Sequence, residues 1–110
     1  MKNFVQAGKT ITVIAPYAVS SGMGVLVGVL FGVAAFDAAQ GAAVEIAREG
    51  VFDVLAVTAD TATPGTKVYW DNTARKLTTT VGSNPLVGAT TAAKAGTDTT
   101  ARVLLDGTFR

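Results

Sequence analysis

Short runs that alternate apolar and polar residues are the main pattern along this 110-residue chain. Gly, Asp, Asn and Pro separate the runs at spacings of roughly 8–12 residues, which is typical of an all-β protein, and helical periodicity is nearly absent. The predicted strands cover residues 9–14, one or two strands within 25–35, then 44–48, 51–57, 67–70, 76–80, 85–91 and 99–105. Gly28 or Gly32 interrupts the 25–35 run, and residues 71–75 mark a hairpin loop.

The pattern predicts one all-β domain over residues 1–110, a small β-barrel or β-sandwich. Gly8 separates the first predicted strand from Met1–Ala7, which we interpret as a short N-terminal arm.

The two halves of the chain also resemble each other. In each half a strand with the pattern apolar-Gly-apolar leads through an Ala-rich turn into an alternating strand. The matching segments are Phe31–Ala34 with Val87–Thr90, Ala39–Gly41 with Lys94–Gly96, and Arg48–Phe52 with Leu105–Phe109. Chance similarity in a chain rich in Ala, Gly and Thr is the alternative to a true repeat.

Residues 10–36 carry no charged side chain, and a segment of this length could span a bilayer. Pro16 and the Ser20-Ser21-Gly22 cluster interrupt it, and the remaining apolar run, Met23–Phe36, is too short to cross. This run is rich in Val and Gly, which favours buried strands over a helix. We therefore expect no membrane segment.

Charge and composition remove several classes of function. The chain has 9 Lys+Arg against 8 Asp+Glu, a net charge of +1, so we expect no nucleic-acid partner. It contains neither Cys nor His, which excludes thiolate metal sites, Cys nucleophiles and His general bases. Only 15% of residues are charged, against about 25% in soluble domains. Such a surface suits permanent contact with other protein.

The remaining candidate chemistry is weak. Gly8-Lys9-Thr10 matches the end of a phosphate-binding P-loop, but Asn3 stands where the motif needs Gly, and a strand pattern follows instead of a helix. Glu45 and Glu49 could in principle serve as an acid–base pair, but they are better explained as solvated charges on a strand. We predict a protein without catalytic residues, cofactor or metal.

Aromatic residues are the best candidates for protein contacts. Phe31 and Phe52 lie in buried-strand patterns and are predicted to be core. Adjacent residues on a strand point to opposite faces, so one of Tyr69 and Trp70 should face outward. Phe4 and Val5 in the arm could add to the sheet edge of a neighbouring molecule. The candidate interface residues are Phe4, Val5, Tyr17, Phe36, Tyr69 and Trp70.

A series of motifs in order covers nearly all of the chain. They are residues 1–12, residues 22–34 ending in Leu-Phe-Gly-Val-Ala, residues 41–52 ending in Glu-Gly-Val-Phe, Val68-Tyr69-Trp70-Asp71, residues 77–80, residues 86–89 and residues 102–105. This series resembles the bacteriophage capsid decoration, or cement, proteins. The resemblance implies a small β-rich protein, often a trimer, that binds the outside of a tailed-phage head and reinforces the shell. It implies no catalytic residues.

The sequence therefore leads us to expect a non-enzymatic structural virion protein. Its partners would be the major capsid protein of the same phage and two further copies of itself in a homotrimer. It would be made in the bacterial host cytoplasm and located on the outer surface of the capsid. One alternative is a head-surface fibre or host-attachment module that uses Tyr69–Asn72 as its binding loop. A second is a small glycan hydrolase that uses Glu45 and Glu49.

Overall fold

The computed structural model describes residues 10–106, and within them it contains nine β-strands and no helix. The strands are β1 (Thr10–Ile14), β2 (Gly24–Val27), β3 (Leu30–Ala34), β4 (Ala43–Ala47), β5 (Glu49–Leu55), β6 (Lys67–Asp71), β7 (Lys76–Thr78), β8 (Leu86–Thr90) and β9 (Thr100–Asp106). The all-β prediction is confirmed. The predicted arm, with Phe4 and Val5, lies outside the described residues. Within 10–106 there is no helix of the length and apolarity that a membrane crossing requires.

The strands form two antiparallel sheets. The four-stranded sheet has the order β1-β4-β3-β2, and the five-stranded sheet has the order β5-β9-β8-β6-β7. The two ends of the five-stranded sheet approach each other, because Ala56 forms a parallel bridge with Leu77 and the Val57 N–H donates to the Leu77 carbonyl at 2.9 Å. This sheet therefore curls into a half-barrel whose outer surface is convex.

The two halves of the chain repeat the same arrangement. Strands β1, β2, β3 and β4 correspond in sheet position to β5, β6, β8 and β9. Hydrogen bonds outside the strands match as well: the Ala35 N–H donates to Glu45 O in one half, and the Thr91 N–H donates to Arg102 O in the other. The structure thus repeats a unit of four strands, larger than the strand-turn-strand unit predicted. The matched segments Phe31–Ala34 and Val87–Thr90 lie in the equivalent strands β3 and β8. The second match is shifted by one residue, because Lys94 forms its bridge where lobe 1 has Ala38, and the third, Arg48–Phe52 with Leu105–Phe109, extends beyond the described residues. We call residues 10–47 lobe 1 and residues 49–106 lobe 2.

Two glycines explain the repeated apolar-Gly-apolar pattern. Gly32 in β3 and Gly88 in β8 occupy equivalent positions. A Cβ at Gly32 would lie 2.8 Å from the Ala47 carbonyl oxygen, and a Cβ at Gly88 would collide with the carbonyl oxygen of Leu104. Each glycine therefore allows its strand to approach its neighbour closely. The interruption of the 25–35 run falls at Gly28, which has a φ of 60° in the β2–β3 turn.

The lobes are joined through an aromatic contact. Trp70 of β6 is completely buried, and its ring lies 5.1 Å from that of Phe31 of β3, at an interplanar angle of 52°. Phe31 and Phe52 are partly buried and pack against the core of lobe 2, as predicted. A second core, built around Val25, Val44 and Ile46, fills lobe 1. Burial of these side chains is the main stabilising contribution to the fold.

Candidate protein-interaction surface

The convex side of the five-stranded sheet carries an apolar patch. Inward side chains of β5 and β9 alternate with outward ones, so Val54 and Val103 are buried while Val51 and Leu104 are 53% and 46% exposed. Val51 pairs with Leu104, and Leu104 pairs with Ala89 of β8. An apolar row therefore crosses three strands on the solvent side, in contrast to the polar residues usual on such a face.

A cleft lies beside this row. It has a volume of about 190 Å³ and is lined by Lys67, Leu86, Gly88, Ala89, Leu104 and Asp106. A Cβ at Gly88 would meet the buried side chains of Val103 and Leu105 as well as the Leu104 carbonyl, so this glycine allows β8 to lie close to β9 beneath the cleft. Tyr69 of β6 pairs with Leu86 and lies on the same side of the sheet. We call the surface formed by Glu49, Val51, Lys67, Tyr69, Leu86, Ala89, Leu104 and Asp106 the outer face.

Charges of opposite sign stand at opposite sides of the outer face. Glu49 of β5 and Asp106 of β9 are directly paired in the register and form an acidic corner. Lys67 lies on β6, three strand spacings away from β5, or about 14 Å. Next to the patch, Arg102 donates to Asp53 at 3.0 Å, and this hydrogen bond lowers the pKa of the Asp53 carboxyl. Both partners are exposed, so this pair stabilises the fold little.

The structure separates the aromatic residues predicted from sequence. Phe36 is 46% exposed in the loop after β3, and Tyr69 is partly exposed on the outer face. Trp70 and Tyr17 are buried. Tyr69 and Trp70 do point to opposite sides of β6, with Tyr69 as the outward member of the pair. Only Phe36 and Tyr69 of this set therefore reach the surface of the described chain.

Tyr17 connects the lobes instead of facing solvent. Its hydroxyl donates to the Gly24 carbonyl at 2.9 Å, and the Arg75 guanidinium lies 3.7 Å from the centre of its ring. Burial raises the pKa of the Tyr17 hydroxyl, and this effect exceeds the opposing ones of a hydrogen bond with the Leu26 backbone and of the Arg75 charge. Arg75 belongs to the β6–β7 turn, so this cation–π contact ties lobe 2 to lobe 1.

The loop proposed as a host-attachment site uses its polar groups internally. Asn72 Oδ1 accepts a hydrogen bond from Trp70 Nε1 at 3.0 Å. Asp71 Oδ1 accepts from the N–H groups of Thr73 and Ala74 at 3.0 and 3.1 Å. These contacts shape the turn. The geometry consequently gives the host-attachment alternative no specific support.

A buried lysine is the feature that the sequence reading missed. Lys94 is 5% exposed, and its Nζ donates to the carbonyls of Thr58 at 3.0 Å, Asp60 at 2.6 Å and Ala95 at 3.2 Å. Lys94 stands in an Ala-rich turn, at the position where lobe 1 has Ala38. Nothing in the local sequence signals its burial. Its three bonds use all three donors of the ammonium group, so we assign it a structural role.

The described residues bring together no catalytic constellation. Glu45 and Glu49 belong to strands of different sheets. Across 10–106 there is no cluster of three or more His, Cys, Asp or Glu side chains that could hold a metal ion. A polar cleft of about 470 Å³ includes Asp53, Asp98 and Arg102 in its lining, but Asp98 caps the Ala95 N–H and Asp53 pairs with Arg102.

Fold and surface thus define an all-β domain whose most distinctive exterior feature is an apolar face suited to protein contact. The family profile described as phage cement protein matches residues 5–105. The chain belongs to this family, which gives it a structural role associated with the phage capsid. No curated protein and no solved structure matches the chain.

Proposed function

We propose that this protein binds the outer surface of a tailed-phage head and stabilises the shell. The proposed partner is the major capsid protein of the same phage, and the proposed unit is a homotrimer. The observation that carries the proposal is the family match over residues 5–105. The charge-poor surface with exposed aliphatic side chains supports it, because such a surface can be covered by protein without burying unpaired charge.

The physical task explains why a small domain is sufficient. Packed DNA pushes outward on the shell, and each bound molecule needs to resist only a small share of that load. Many copies on one head act together, so modest single contacts give a large combined effect. The role requires no catalytic group.

Co-sedimentation with purified, empty, expanded heads of the cognate phage tests the proposal. We expect saturable binding at a fixed number of copies per capsid subunit, and heads that resist heat to a higher temperature when saturated. A protein of similar size and charge from outside the family serves as the control for trapping in the pellet. Absence of binding to correctly expanded heads would overturn the proposal.

A further inference from the structure

We propose that Tyr17 covers the edge of β2 and so prevents a strand of a second copy of this chain from adding to the four-stranded sheet. An edge strand presents unpaired backbone N–H and C=O groups, which are a template for pairing with another chain. β2 is the last strand in the order of its sheet, and within residues 10–106 no strand pairs with its outer side. This role of Tyr17 does not depend on head binding.

The Tyr17 hydroxyl bonds to two outward backbone groups of β2. Val27 and Leu30 close the two-residue β2–β3 turn, so the backbone of Val27 faces β3 and those of Gly24 and Leu26 face away from it. The hydroxyl donates to the Gly24 carbonyl at 2.9 Å. It also bonds to the Leu26 backbone, and because this bond lowers the pKa of Tyr17, the Leu26 N–H is the donor. One hydroxyl thus occupies the two groups that an added strand would use.

The equivalent edge in lobe 2 is covered by a strand. β6 takes the place of β2, and β7 pairs with its outer side, with Trp70 opposite Leu77. The chain after β5 then reaches β7 through Ala56 and Val57. Among the described residues of lobe 1 there is no counterpart of β7, because β2 turns directly into β3. The chain after β1 reaches β2 through the Tyr17 side chain, which therefore does in lobe 1 what β7 does in lobe 2.

Arg75 holds the Tyr17 ring in place from the other side. Its guanidinium lies 3.7 Å from the centre of the ring, and Tyr17 is only 6% exposed. Arg75 itself is exposed, with a φ of 57° in the β6–β7 turn. A charged side chain beside an edge strand is itself an obstacle to strand addition. The edge of β2 therefore has two covers, the bonded hydroxyl of Tyr17 and the charge of Arg75.

Hydrogen exchange of the Leu26 amide tests the contact. Tyr17→Phe keeps the ring and removes the hydroxyl, so the Leu26 N–H loses its acceptor. The Val25 amide, which faces β3, is the internal control, because any change in global stability affects both amides. The ratio of the Leu26 rate to the Val25 rate should rise at least about fivefold in Tyr17→Phe. An unchanged ratio would overturn the proposal.

Sedimentation velocity over a range of concentrations tests the consequence. Tyr17→Ala removes the cover, so under native conditions it should form species larger than those of the wild type, in a fraction that grows with concentration. Lys94→Met is the matched control: it removes bonds within lobe 2 but leaves Tyr17 in place, and its mass should equal that of the wild type. Equal masses for Tyr17→Ala and the wild type, or association of Lys94→Met to the same extent, would overturn the proposal.

The Leu26 amide also distinguishes pairing at the edge from aggregation of unfolded chains. In associated Tyr17→Ala its exchange should slow as the concentration rises, because a strand of the second copy supplies the missing acceptor. Association without this slowing would contradict pairing at β2. If Tyr17→Ala does not fold, Arg75→Gly replaces it, since glycine suits a φ of 57° and the turn is kept. The loss of the guanidinium should raise the ratio of the Leu26 rate to the Val25 rate, and an unchanged ratio would refute the role of Arg75.

Discussion

Replacement of Lys94 by Met tests whether the buried ammonium holds the end of lobe 2 together. Met fills a similar space but donates no hydrogen bond. Among the described residues, the Ala95 carbonyl keeps its bond from the Asp98 N–H, whereas the carbonyls of Thr58 and Asp60 accept only from Lys94. Two carbonyls that lose their donor cost about 1–3 kcal/mol each, and water will reach part of this turn, so we expect a loss of about 2–4 kcal/mol.

The loss should be easy to measure. Trp70 is the only tryptophan and is buried, so its fluorescence follows equilibrium unfolding in urea. For a domain of this size the expected loss lowers Tm by about 10–25 °C. Lys76→Met on β7 is the matched control and should change the free energy of unfolding by less than about 0.5 kcal/mol. Equal stability of the two variants would refute the structural role of Lys94.

Three further predictions concern the lobe contacts and the surface ion pair. Gly24→Ala should lower the free energy of unfolding in a urea titration by about 1–3 kcal/mol, because the added Cβ would lie 2.6 Å from the buried ring of Trp70. Gly96→Ala is the control: its added Cβ would have no contact closer than 3.6 Å, so the free energy of unfolding should not change. Tyr17→Phe should lower the free energy of unfolding by about 1 kcal/mol near neutral pH, because it removes the hydrogen bond to the Gly24 carbonyl. Folding raises the pKa of Tyr17, so the wild type should lose this advantage as the pH rises above about 10. Urea midpoints of the two proteins measured against pH test this, and parallel curves would contradict a buried, hydrogen-bonded Tyr17 hydroxyl. Folding lowers the pKa of Asp53, so the stabilising contribution of its carboxylate is present above about pH 4 and is lost on acidification. The urea midpoint of Asp53→Asn should therefore fall less than that of the wild type between about pH 5 and about pH 2. An identical fall in the two proteins would argue against the Asp53–Arg102 pair.

Strand positions were predictable because strand alternation leaves a direct trace in the sequence. β4 and β9 follow the predicted runs closely, since their inward Val, Ile, Leu and Ala residues alternate with polar or exposed ones. The hairpin at residues 71–75 was predictable from its turn residues, and β6 and β7 do flank it. The family resemblance is confirmed by the profile match.

Other features depend on contacts between distant segments. Whether Tyr17 faces solvent is decided by Gly24 and by Arg75 of the other lobe, neither of which its own neighbours in sequence reveal. The burial of Lys94 depends on the carbonyls of a turn far away in the chain. The outer face could not be read from any one strand, because it arises only when the register brings Val51, Leu104 and Ala89 into one row.

The repeat has a consequence for the order in which the protein forms during synthesis. Every strand of lobe 1 leaves the ribosome before β5 does. The pairing that joins the first and last strands of this lobe, β1 and β4, is therefore available as soon as Ala47, the partner of Thr10, has emerged. Lobe 2 has to wait for β9, because β5 pairs along its full length with that last strand. In the interval Phe31 lacks the Trp70 ring that covers it in the finished molecule. If the strands of lobe 1 pair at this stage, the first sheet carries an uncovered Phe31, and this is the surface through which chains on neighbouring ribosomes would associate prematurely.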